Sequence, residues 1–315
     1  MGVEIMCNSL EVNRLVKWFK IGRVTGLGPQ KIQKLLTYFG NLNSIFSATN
    51  SELLQTRIFN EKMLDEFNKL KEASENNFIK NIEDCKQKKI EIITIMDKKY
   101  PKELIYISSP PLTLFLLGDI NLLNNNKKIA IVGSRKPTQN AINYAYSLSR
   151  FLSENKFTIV SGGALGIDTN AHKGALETDN GKTISVVGAG FNNMYPPENL
   201  ELFNKIKQRG LLISEHLPNF NGSRISYLQR NRITSGISNT LFSVASSKTG
   251  GSLTQMGIAF KQRKPIFCPS LDDKIMPNEG IKEAVLNYNA REISNKNDLL
   301  KILENPLESL LMLNK

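Results

Sequence analysis

The 315-residue sequence predicts an α/β chain, a doubly wound, mostly parallel sheet behind a small all-α N-terminal domain. Three observations predict it. Short β-branched runs alternate with helical stretches from residue 128 onward, no strand signal interrupts residues 1–80, and several of the later runs end on glycine, serine or a charged residue.

Residues 1–80 read as short helices, because "EVNRLVKWFKI" and "QKIQKLLTYFG" carry apolar residues at helical spacing. Between them, in "VTGLGPQKIQ", Gly26 and Gly28 frame a tight turn and Pro29 suits a helix start. That turn resembles a helix-hairpin-helix or SAM-like connection, whose N–H groups can hold a DNA phosphate; the same pattern also simply joins two helices. Residues 81–126 form a bridge with a strand-like "IEIITIM" and a second apolar run, "LTLFLLG", ending in a polar hinge, "NLLNNNKK". The core, residues 127–305, alternates "KIAIVG", a helix, "FTIVSGG", a helix, "TISVVGAG", a helix, "LLISE", a helix from about Tyr227, "TLFSVAS", a helix and "PIFCPS". Such sheets bind ligands beyond the carboxyl ends of their strands. Residues 306–315 are expected to be a short tail without a further domain.

Composition narrows the function. The formal net charge is +12, with 17 Lys and Arg against 14 Asp and Glu in residues 1–126 and 24 against 15 in residues 127–315. The basic excess belongs to the core and points to a polyanion, nucleic acid above all, although a solvated basic face would look the same. No apolar run approaches the ~20 residues of a membrane span, and the first ten residues lack a signal-peptide pattern. Three scattered cysteines suggest neither disulfides nor a metal site, and a reducing cytoplasm is the expected location. Two histidines, no HExxH and no clustered cysteines give no basis for a metal centre. No Walker sequence occurs, and "GAGFNN" has Asn193 at the third glycine of a dinucleotide fingerprint, so neither ATP nor NAD is expected as a cofactor.

The strand ends carry the chemistry. In "GSRKPT", Gly133 permits close approach, Ser134 can donate a hydrogen bond, and Arg135 can fork onto a phosphate with Lys136 beside it. A solvated turn would read similarly. In "SGGALGID", Gly162 and Gly163 leave backbone N–H groups free to face an anion at the next helix N-terminus. Asp168 and His172 then share a helix face. A Ser161, Asp168, His172 hydrolase lacks the GxSxG elbow, so Asp168 is expected to serve the helix terminus and His172 a structural hydrogen bond. In "YLQRNRITSGIS", Arg230 and Arg232 flank Asn231 and repel unless each finds solvent or an anion. "SSKTGGSLTQMG" adds Lys248 and a third glycine pair, Gly250 and Gly251, before a helix. Phe191, Tyr195 and Phe220 could stack bases beside this edge or simply pack.

Taken in order, "GSRKPT", "SGGALGIDTNAHKGAL", "YPPEN", "LISE", "RNRITSGIS" and "GGSLTQMGIAFKQRKPIF" resemble the DprA/Smf family (DNA-processing protein A), over roughly residues 20–292. The resemblance implies an extended Rossmann-like core preceded by a SAM-like domain. It also implies a protein without catalysis that binds single-stranded DNA, protects incoming strands, displaces single-strand-binding protein and loads the RecA recombinase, usually as a homodimer. By motif, its DNA-contacting residues would be Ser134, Arg135, Lys136, Gly162, Gly163, Arg230, Asn231 and Arg232, with Lys248 and Ser252 as neighbours. Three positions depart from the family pattern. Ala245 stands where members often carry an acidic residue, Ser270 follows Pro269 where Pro-Gly is usual, and little follows residue 300 where many members continue into a winged helix. The rival on a similar fold is a nucleoside-monophosphate phosphoribohydrolase, which needs a PGGxGTxxE loop. Here Leu253 and Gly257 occupy that loop's later glycine and its glutamate. A third class, a protein adaptor acting through the N-terminal helices, would bind DNA weakly and without salt dependence.

Overall fold

The computed structural model describes residues 2–271 and 278–305; the expected tail at 306–315, Met1 and the side chains of residues 2–9 lie outside the described residues. The chain separates into two compact units, Met1–Phe115 and Leu116–Lys315.

The first unit runs α1 (Gly2–Ile21), α2 (Pro29–Phe39), α3 (Leu42–Ser47), α4 (Asn50–Gln55), α5 (Glu61–Glu72), α6 (Asn76–Gln87), β1 (Glu91–Thr94), α7 (Lys102–Ile105) and into β2 (Thr113–Gly118). As the sequence predicts, Pro29 opens α2 behind Gly28, and Gly26 takes a φ of 79° that an L side chain would resist. Ahead of it, the Thr25 N–H and hydroxyl both donate to the Glu66 carboxylate, at 2.8 and 2.9 Å. The strand expected over "IEIITIM" stops early. Asp97 accepts the Thr94 N–H at 2.6 Å and is held by the Arg14 guanidinium at 2.7 Å, which bends the chain away after Thr94.

In the second unit the expected polar hinge is instead a 3-10 turn, Ile120–Asn124, with Leu122 and Leu123 buried. Burial of this leucine pair ties the segment down, and the Lys128 ammonium donates to the Leu123 carbonyl at 2.5 Å. There follow β3 (Lys128–Val132), α8 (Gln139–Glu154), β4 (Thr158–Ser161), α9 (Ile167–Leu176), β5 (Thr183–Val187), α10 (Leu200–Arg209), β6 (Leu211–Ser214), α11 (Arg224–Gly236), β7 (Thr240–Ser243), α12 (Gly251–Lys261), β8 (Ile266–Pro269), α13 (Glu279–Asn287), β9 (Arg291–Ile293) and α14 (Lys296–Glu304). The nine-stranded sheet has the order β1-β2-β6-β5-β4-β3-β7-β8-β9. Pairing from β6 through to β9 is parallel throughout. The α/β, mostly parallel reading therefore holds. β3, β4, β5, β6 and β7 are buried along their whole length, which is why they read as unbroken apolar or β-branched runs. The sequence reading missed α13, β9 and α14. β9 is three residues long and buries only Ile293, so it leaves no hydrophobic run to find.

The order reverses at β3, which pairs with β4 on one side and β7 on the other. In an open parallel sheet that reversal leaves a crevice outside the strand ends. On one flank of the sheet α8 and α9 share a buried cluster that includes Ala141, Ala145, Ala171 and Ala175, all fully buried. A Cβ at Gly174 would run into the Tyr146 backbone carbonyl and lie 3.1 Å from the Ser149 Cβ. Gly174→Ala is therefore expected to lower the unfolding free energy by about 1–3 kcal/mol through overpacking, despite alanine's better helix propensity. Urea denaturation checks this, and an unchanged or raised midpoint would refute the close-packed helix pair.

Candidate nucleic-acid interface

A cavity of about 690 Å³ opens at this switch point, wholly within the second unit. The loop after β3 contributes Ser134, Arg135 and Lys136, the turn after β4 contributes Ala164, the first turn of α9 contributes Asp168, α11 supplies Arg224, Tyr227, Arg230 and Asn231, and the N-terminal part of α12 brings Gly251, Ser252 and Gln255. Four cationic side chains face one carboxylate.

Backbone packing places the loops. A Cβ at Gly133 would lie 2.6 Å from the Ile167 side chain, so this glycine lets α9 dock on the end of β3. Gly166, at φ 84°, clears the Ser134 carbonyl. The Ser134 N–H donates to the Ala245 carbonyl at 2.8 Å, and the Ile167 N–H to the Ser134 carbonyl at 3.2 Å. The Ser134 hydroxyl oxygen accepts the Lys136 N–H at 3.1 Å, which leaves its own proton to donate into the cavity. Arg135 and Lys136 are exposed at the rim.

The double-glycine turn differs from expectation. The N–H groups of Gly162 and Ala164 are not free for an external anion, because Asp168 Oδ2 accepts them at 3.1 and 3.3 Å. Gly162 is needed because the Arg230 guanidinium lies where its Cβ would be. Gly163, at φ 71°, is crowded by Phe203 and Ser185. The anion under this turn is thus the protein's own carboxylate. Burial pushes the Asp168 pKa up, while the Arg230 charge and the backbone N–H donors of Ala164 and Gly162 oppose that rise. Burial pulls the Arg230 pKa down, Asp168 opposes this, and the Arg135 charge adds to it.

Arg230 is 6% exposed and donates from Nη1 to the Val186 carbonyl at 2.7 Å; its Nε has no hydrogen-bond partner. Tyr227 Oη and Gln255 Nε2 are likewise buried and unpartnered. A buried polar group without a partner costs roughly 1–3 kcal/mol, so several at one cavity mark a place where a polar ligand would restore the missing bonds.

A family model for DNA recombination-mediator protein A matches residues 91–304. The chain belongs to that family. Among its relatives, it is 30% identical over 289 residues to Protein Smf of Synechocystis sp., an alignment covering 91% of this chain and 72% of that one. It is 36% identical over 178 residues to the DNA processing protein DprA of Bacillus subtilis, covering 56% and 60%. The X-ray structure of DNA processing protein A from Streptococcus pneumoniae matches it with a TM-score of 0.77 at 26% identity, over 90% of this chain and 97% of that one. DNA processing protein A from Helicobacter pylori, the subject of structural work on its unique single-stranded DNA binding mode, matches with a TM-score of 0.61 at 29% identity, over 70% and 97%.

Of the residues singled out in the sequence of this family member, Ser134, Arg135, Lys136, Arg230, Asn231 and Ser252 line the cavity. Gly162 and Gly163 are buried in the turn behind Arg230. Arg232 is not among the lining residues: it pairs with Glu215 at 2.5 Å and donates to the Gln229 carbonyl at 3.0 Å. Being two positions from Arg230, it leaves the helix on another face. Lys248 is exposed and also outside the lining. The Ser252 hydroxyl is spent on Ser246 at 2.8 Å. Phe191 is buried, and Phe220 stacks on His216 with centroids 4.3 Å apart. The reading missed Tyr227, Arg224 and Gln255. Arg224 follows Ser223, an N-cap in a reciprocal pair with Ser226, so α11 starts three residues before the predicted Tyr227.

The Ser161, Asp168, His172 grouping is no hydrolase triad, and the structural reading of both side chains holds. The Ser161 hydroxyl donates to the Ile131 carbonyl at 2.7 Å, and His172 Nδ1 lies 2.7 Å from Thr183 Oγ1. Because the Thr183 hydroxyl donates to the Ile159 carbonyl, it accepts from His172, which fixes the Nδ1–H tautomer. His172 Nε2 is buried without a partner. Burial, aided by the Arg230 charge, lowers the His172 pKa from 6.5 to about 3. Above pH 6.5 the folded and unfolded states are both neutral here. As pH falls from 6.5 towards 3, only the unfolded chain takes up the proton and stability drops, by up to about 1.4 kcal/mol per pH unit. With two histidines in the chain, imidazole NMR is simple to assign: the His172 resonances are expected to stay put from pH 7 to 4.5. A titration near 6.5 would contradict the buried neutral ring.

Proposed function

We propose that this recombination-mediator family member binds single-stranded DNA in the switch-point cavity and, without catalysis, protects incoming strands, displaces single-strand-binding protein and loads the RecA recombinase, acting as a cytoplasmic homodimer in natural transformation and recombination. The observation that carries the reading is the meeting of exposed Arg135, Lys136 and Arg224 with buried, unpartnered Arg230 Nε and Gln255 Nε2 around one opening. Exposed cations attract a phosphate backbone without reading its sequence, while unpartnered donors beneath them take acceptor atoms of the nucleotide. The single-stranded DNA binding mode of the Helicobacter pylori relative supports the same ligand. Within this reading, residues 127–305 form the DNA-binding core, residues 81–126 attach strands to it, and the helices of residues 1–80 are accessory. Among the described residues, no helix is long and apolar enough to cross a membrane.

Nucleotide hydrolysis fares less well on the same geometry. The carboxylate that lines the cavity is Asp168, buried and bonded to backbone N–H groups, and Gly257 packs against Tyr288.

Fluorescence anisotropy of labelled oligo-dT across salt concentration tests the proposal. Arg135→Ala removes an exposed guanidinium from the rim, and is expected to weaken binding by about 10- to 100-fold and to reduce the salt slope by roughly one. Wild-type binding that is weak and insensitive to salt would sink the reading and favour the adaptor class.

A further inference from the structure

The N-termini of α3, α4, α5, α8, α11 and α14 each carry a side chain bonded to a first-turn N–H group, whereas those of α2, α6, α7, α9, α10, α12 and α13 carry none. At α12 the N-cap is Gly250, with no side-chain cap. Leu253 and Thr254 N–H groups return to the Gly250 carbonyl, whereas those of Gly251 and Ser252, the first two of the helix, point out of its end. A Cβ at Gly251 would meet nothing within 4 Å, so packing does not demand glycine there. Gly251 does not take a positive φ, so an alanine would fit there without strain, yet the position is bare. Gln255, four residues on, lies on the same helix face, and helical side chains lean back towards the N-terminus. It is 6% exposed, its Nε2 is unpartnered, and it lines the same cavity as Gly250, Gly251 and Ser252. The outward N–H groups at the positive end of the helix dipole, the buried amide donor of Gln255 and the cationic rim all border this one cavity, which is open beside Gly251.

We propose that this end of α12 seats a phosphate monoester, such as the 5′-phosphate of a DNA strand or of a free nucleotide. A monoester brings three terminal oxygens and close to two negative charges on a single ester arm, so it can be lowered onto a helix end. An internal phosphodiester offers two such oxygens, one charge and two sugar arms that must both leave. The assignment rests on the single-strand reading only for the strand end as the source of the monoester; a free nucleotide would need the seat alone.

The experiment compares 5′-phosphorylated and 5′-hydroxyl oligo-dT of equal length by anisotropy, with thymidine 5′-monophosphate and inorganic phosphate as competitors, in wild type, Gly251→Ala and Gln255→Met. The quantity read is the affinity ratio between the two oligonucleotides within each protein. Wild type is expected to favour the phosphorylated strand about tenfold, as befits charge-assisted bonds to an anion at a helix terminus. Gly251→Ala should melt at or above the wild-type temperature and bring the ratio to about one, and Gln255→Met should lower it. Competition by the mononucleotide at concentrations where inorganic phosphate fails would support a nucleotide-bearing seat and identify a free source. A mononucleotide that fails to compete, with the tenfold ratio intact, would support the strand end as the source. A wild-type ratio of one, with no competition by the mononucleotide, overturns the seat. In that case steep salt dependence of the hydroxyl strand would still leave single-strand binding standing, and its loss would remove both.

Discussion

The site depends on one constraint, the burial of the Arg230 guanidinium at the switch point of a parallel sheet. A cation taken from water must find opposite charge and hydrogen-bond acceptors close by, and here it has the field of Asp168 and the Val186 carbonyl. The carboxylate in turn is held by the Gly162 and Ala164 N–H groups. The same glycine clears the volume that Arg230 occupies. A residue that looks like a phosphate cradle in the sequence is thus the fitting between two buried charges.

This arrangement divides labour by depth. Arg135, Lys136 and Arg224 are solvated at the rim, where a charge costs little and attracts over a Debye length. Beneath them Arg230, Asn231 and Gln255 are each 6% exposed, in surroundings where an unmade hydrogen bond is costly and a made one correspondingly valuable. In the proposed single-strand reading, attraction of the polyanion and close recognition of part of it would therefore fall to different residues.

His172 shows how closely the layers are coupled. It sits on the helix that carries Asp168, its ring is fixed by Thr183, and the Arg230 charge helps keep it neutral. A proton there would put a second cation beside the buried guanidinium with no acceptor for the new N–H.

Much of the molecule was legible from residue order. Strands buried on both faces must be apolar or β-branched, so β3 through β7 announced themselves, and glycine and proline marked Pro29 and the strand-end turns. "GSRKPT" and "RNR" pointed to Arg135 and Arg230, both of which line the cavity, because a guanidinium beside a strand-end glycine can fork onto a phosphate and two guanidiniums flanking one residue repel unless each finds solvent or an anion. What tertiary structure alone decided is direction and partnership. Two arginines a single residue apart separate into a cavity-lining Arg230 and an Arg232 paired with Glu215, because successive helical residues turn by about 100°. The Gly162 N–H went to Asp168 six residues later, and Gln255 became a buried, unpartnered donor, because both outcomes hinge on which element folds against which. Sequence spacing sets which groups can reach the switch point; only packing settles which of them keep a free bond to offer.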